Sequence, residues 1–129
     1  MSYQSDYVLR LIEQMGALIR RAMAKLGEGA AQEPCEVAGQ AIGLALGMDS
    51  SVASRLSSQS LVSLLELSRL DDQVIKLLAQ AIELEAEVLQ GNGEMIGAGV
   101  RREQANAVRS LLGPNTTGAN APRIGTSAD

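Results

Sequence analysis

Apolar residues return at three- and four-residue intervals through most of the chain. The densest run, Asp72 to Leu89, predicts the helix that the other segments must cover. On a 3.6-residue period Val74, Ile75, Leu77, Leu78, Ala81, Ile82, Leu84, Val88 and Leu89 spread over an arc of about 180°, against roughly 100° for an ordinary surface helix. One neighbour cannot cover so wide a face. Asp71 is placed to cap this helix, Asp72 adds favourable charge to its first turn, and Leu70 with Ile75 predicts a hydrophobic staple.

A second strong pattern runs from about Ser5 to Leu26, with Ser2 or Ser5 as N-cap and Gly27 and Gly29 as the stop. It places Tyr7, Val8, Leu11, Ile12, Met15, Leu18, Ile19, Ala22, Met23 and Leu26 on an inner face, with Arg10, Glu13, Arg20 and Arg21 opposite. Pro34 suits a first helical position and Gly47 a C-terminal stop, so a helix is expected over Pro34 to Leu46. Gly39 and Gly43 stand one turn apart within it. Each glycine costs about 1 kcal/mol relative to alanine, a loss best offset if another segment packs very closely there. Asp49 then caps a short helix to about Leu56, and Ser57 or Ser58 caps another carrying Leu61, Val62, Leu64, Leu65 and Leu67. Beyond the breaker Gln90-Gly91-Asn92-Gly93, a last helix is predicted from about Glu94 to Leu112, its apolar stripe formed by Ile96, Val100, Ala107, Val108, Leu111 and Leu112. So short a loop makes the last two helices an antiparallel hairpin.

Taken together, the pattern predicts an all-α bundle of two long helices with short helices bridging them. Residues 1–112 form one domain, and residues 113–129, rich in Gly, Pro, Asn, Thr, Ser and Ala, form a flexible polar tail. Composition agrees: 46% of the 129 residues are hydrophobic but only 2% aromatic, so the core is aliphatic, a palette that favours helices. A net charge of -4 argues against binding to nucleic acid, which needs clustered cations.

Candidate chemistry is sparse. Histidine is absent and Cys35 is the one cysteine, which excludes His/Cys zinc sites, Ser-His-Asp triads and Cys-His dyads built from this chain; no metal or cofactor is expected. No secretory signal and no run long enough to cross a bilayer is visible, so a cytoplasmic location is expected. Gly91-x-Gly93-x-x-x-Gly97 has the look of a dinucleotide fingerprint, but a helical pattern precedes it where a strand is required. Asn115-Thr116-Thr117 matches a glycosylation acceptor with no export signal beside it.

Two residues remain. Cys35, one position inside the expected second helix, sits near the positive end of its dipole, where a thiol pKa is lowered, although no partner base is in view and an inert thiol is the plainer reading. Glu85 falls near the middle of the central helix's apolar arc. A buried carboxylate needs a cation or several donors, and Arg101, Arg102 and Arg109 on the facing arm are candidates, so a structural ion pair is favoured over a catalytic or ligand-binding acid. Glu83 and Glu87 belong to the outer face.

The opening Tyr3-Gln4-Ser5-Asp6-Tyr7-Val8-Leu9-Arg10-Leu11-Ile12-Glu13-Gln14, with Leu70-Asp71-Asp72 leading into the long hairpin, resembles a family of small, uncharacterised bacterial proteins classed as a domain of unknown function. The resemblance implies an all-helical fold with a C-terminal hairpin similar to a tetratricopeptide repeat, and it implies no activity. Gly91-Asn92 stands for the repeat's turn, but Ile96 and Val100 do not match its small and aromatic positions in type. No peptide groove is therefore carried over. The function expected is a non-catalytic interaction or adaptor module, homodimeric or bound to another protein, because the apolar faces of the first and central helices exceed what short Ser-rich helices cover. The alternatives are a small-molecule binder or enzyme built on Glu85, and membrane-surface attachment through helix 5–26, for which the polar face is only moderately basic.

Overall fold

A computed structural model describes residues 2–27 and 35–112, and over them the chain is all-helical. The expected N-cap at Ser2 or Ser5, the stop at Gly29, the helix start at Pro34, the tail and the Asn115 acceptor bear wholly or partly on residues outside those described. Six helices follow one another: α1 (Ser2–Gly27), α2 (Val37–Leu46), α3 (Ser50–Ala53), α4 (Ser58–Ser68), α5 (Asp72–Gly91) and α6 (Met95–Arg109).

α5 is the axis of the molecule. Its start follows the expected chemistry: the Asp71 carboxylate accepts from the Gln73 N–H at 2.8 Å, and Asp72 lies in the first turn. Val74, Ile75, Leu78, Ala81, Ile82, Leu84 and Val88 are buried, while Leu77 and Leu89 are half-buried. α6, α2 and α1 all pack against it, so the wide apolar arc is covered from several sides. Fully burying an aliphatic side chain is worth about 1.5 to 3 kcal/mol, and this helix contributes more such chains than any other.

The two Ser-rich segments are fixed by their caps. Asp49 accepts from the Ser51 backbone N–H at 2.8 Å and hydroxyl at 2.7 Å, and these bonds hold its carboxyl below the usual range, the hydroxyl having the larger effect. Ser57 accepts from the Ser60 N–H at 3.1 Å at the start of α4. Both short helices lie against longer ones, α3 on α2 and α4 on α6.

Several expectations are corrected. α2 begins at Val37, so Cys35 precedes the helix, whereas its stop at Gly47 is as expected, in the left-handed region at φ 70°. Ser5 lies inside α1 and is not its cap. Tyr7 and Met23, placed on the inner face of α1 by their apolar character, are exposed. The largest difference is on α6. Its inner face is Ala98, Arg101, Gln104, Ala105 and Val108, and the expected anchors Ile96 and Val100 point to solvent, Ile96 at 87% exposure. The helix is rotated about its axis relative to the expectation, because polar side chains on it answer a need inside the bundle.

Candidate functional site

That need is set by Glu85, which is 6% exposed in the middle of α5. Its Oε1 accepts from the backbone N–H of Ala38 at 2.8 Å, and its Oε2 accepts from Arg101 Nε at 3.0 Å. Ala38 is in the first turn of α2, where backbone N–H groups lack partners within the helix. Glu36, at the N-cap position, makes no side-chain cap bond, so the cap is supplied across the fold by a carboxylate from α5. A negative charge there also meets the positive end of the helix dipole, worth roughly 0.3 to 2 kcal/mol.

The chain of contacts continues outward. Arg101 Nη1 donates to Gln104 Oε1 at 2.7 Å, and Gln104 Nε2 donates to the Leu56 carbonyl at 2.8 Å. A line of polar groups thus runs from the start of α2 through α5 and α6 to the turn between α3 and α4. It ties together segments 47 and 48 residues apart in sequence. Arg101 and Gln104 are themselves buried, one turn apart on one face of α6. The structural ion pair expected of Glu85 is present, with Arg101 as the cation. Arg109 instead pairs with Glu83 at 2.7 Å near the surface, and Arg102 is half-buried.

Sequence reading missed Ala38 and Gln104. A backbone donor has no signature in sequence, but Gln104 did have one: with Ala98, Arg101, Ala105 and Val108 it keeps helical spacing among small and apolar residues. An acid held on both oxygens by protein donors braces three helices. Both of its oxygens are engaged within the fold.

Gly39 and Gly43 are buried and do mark close packing, though the neighbour is a turn and α3 rather than a long helix. A Cβ on Gly43 would lie 2.6 Å from the Met48 carbonyl oxygen, and one on Gly39 would lie 3.1 Å from the Ser50 carbonyl oxygen. Cys35 is brought near Glu85 but takes no part in its bonds. Burial pushes its thiol above the ordinary value and the Glu85 charge adds to this, outweighing the Val37 N–H and Lys25, so the expected lowering is reversed.

Three surface grooves border α1 among the described residues; one, about 270 Å³, has Lys25, Cys35 and Glu36 in its lining. Two more flank the helix. The larger, about 510 Å³, lies between α1 and α2 and is lined by Gln14, Leu18, Arg21, Leu44 and Met48 among others; it holds no acid and no nucleophile paired with a base. The smaller, about 210 Å³, lies between α1 and α5, with Ile19, Met23 and Leu84 as its apolar surface and Glu83, Glu87 and Arg109 at its edge. Among the described residues no cluster of acids and cysteine could hold a metal ion, and no helix is long and apolar enough to cross a membrane. In comparisons with known proteins, no family model matches the chain, and no curated protein or solved structure matches it either.

Proposed function

We propose that the chain is a non-catalytic protein–protein interaction module whose contacts fall on the open faces of α1 and α6. The observation that carries this reading is where large apolar side chains are left in water. Leu9 and Met23 are exposed on α1, and Met95, Ile96 and Val100 are exposed together on the first turns of α6. Single exposed apolar residues are ordinary, but bulky ones gathered on one helix end mark a surface that another protein covers. The interior supports the same reading, since the one buried acid among the described residues has both oxygens engaged within the fold.

Methionine oxidation tests it, with Met15 in the core as an internal control. In intact cells Met23, Met95 or both should oxidise more slowly than in the dilute purified chain, because a partner shields them. Equal rates in the two settings at both positions would overturn the proposal.

A further inference from the structure

Beside the core face of α1 runs a second stripe, Leu9, Ile12, Gly16, Ile19, Met23 and Leu26, at alternating spacings of three and four. Ile19 is buried against the fold, Ile12 and Leu26 are half-buried, and Leu9 and Met23 stand 58% and 53% exposed at the two ends of the stripe. The stripe therefore runs along the seam between the face of α1 that packs on α5 and the face that is open.

Its arrangement is symmetric about Gly16. Leu9 and Met23 are equally far from Gly16 in opposite directions, as are, within one residue, Glu13 and Arg20. Glu13 and Arg20 are exposed, each four residues beyond Leu9 and Gly16 on the side away from the core, and in an antiparallel pair crossing at Gly16 that side of one helix faces the same side of its neighbour. We infer that a second copy of this chain docks here, α1 against α1 and antiparallel, with the two-fold axis passing near Gly16. This deepens the proposed interaction module by naming a partner and a surface for it.

The geometry meets each requirement of a two-fold contact. Leu9 of one copy comes opposite Met23 of the other, beside the 210 Å³ groove formed with Ile19 and Leu84, which has room for a leucine side chain. Glu13 of each copy meets Arg20 of the other, giving two reciprocal ion pairs, whereas a parallel pair would set like positions side by side. At the crossing point, a Cβ added to Gly16 would meet only the flexible end of Arg20, at 3.3 Å, so no fixed group of the same chain obstructs close approach of the helices.

Sedimentation equilibrium on the purified full chain tests the inference through charge reversal. The wild-type chain should form dimers. Glu13→Arg and Arg20→Glu each set like charges against one another twice per dimer and should weaken association by at least about tenfold. A mixture of the two variants should recover dimers, because each chain then offers the charge the other lacks; the double variant should recover them also. Both residues are exposed, so circular dichroism should report unchanged folding. A monomeric wild type, single variants that associate normally, or a mixture that stays monomeric would each overturn it. Slow oxidation of Met95 in cells would in those cases still support the broader module, because Met95 lies at the opposite end of α6 from Arg109, the residue of that helix at the edge of the groove.

Discussion

Two pairs of opposite charges invite comparison: Glu85 with Arg101 inside the fold, and Glu13 with Arg20 on the open side of α1. The inner pair is closed. Both Glu85 oxygens have donors, and Arg101 also donates through Nη1 to Gln104, so the two charges are paired within one chain. The outer pair is offset along one helix and framed by exposed Leu9 and Met23, and on the proposed docking its charges meet across two copies. The difference separates two uses of charge. Buried charge here ties the helices together, and exposed charge flanked by apolar side chains is, on the proposed docking, what a second copy meets.

The largest effect should come from opening the inner pair. Arg101→Ala leaves Glu85 buried with one oxygen unpaired, and denaturant unfolding should show a loss of about 3 to 5 kcal/mol. Replacing Glu85 and Arg101 together by methionine should recover part of that loss, since no lone charge then remains buried; a double variant as unstable as the single would argue against the pairing.

Glycines sharpen the contrast at the next level. Gly43→Ala forces a methyl to within 2.6 Å of the Met48 carbonyl and should destabilise by roughly 1 to 3 kcal/mol. Gly99→Ala, on the open face of α6 with nothing within 4 Å, should stabilise by about 0.5 to 1 kcal/mol through helix propensity. If both substitutions shift the unfolding midpoint in the same direction, the division between closed and open regions is wrong.

The smallest effect is pH-dependent. Ser51 lowers the Asp49 carboxyl in the folded chain, so the bond stabilises the fold above the unfolded carboxyl value and that contribution fades as pH falls through the lower folded one. Asp49→Ala should thus be less stable than wild type at neutral pH. The gap should close on acidification below about pH 4, as thermal melts across pH would show.

What the sequence made legible is what local chemistry decides. Asp49, Ser57 and Asp71 cap helices because a short polar side chain reaches the next free N–H, and α5 is recognisable from its own apolar spacing. The inner face of α6 was not, because apolar type is a poor guide once a buried acid elsewhere requires Arg101 and Gln104 to turn inward. Ile96 and Val100 were displaced by that requirement. The cap on α2 was hidden for a related reason: it joins Ala38 to Glu85, 47 residues away, and no local pattern encodes such a distance. On α1 the line of Leu9, Gly16 and Met23 was present in the letters. It was masked by the adjoining core stripe of Leu11, Met15, Leu18, Ile19 and Ala22.

The most direct measurement is the urea midpoint of the wild-type chain across roughly a hundredfold range of protein concentration, beside Leu9→Asp. A dimer that unfolds to separate chains gains stability with concentration, by up to about 2.7 kcal/mol over that range, so the wild-type midpoint should climb while that of Leu9→Asp stays flat. A wild-type midpoint independent of concentration would mean that the open side of α1 does not meet its own copy.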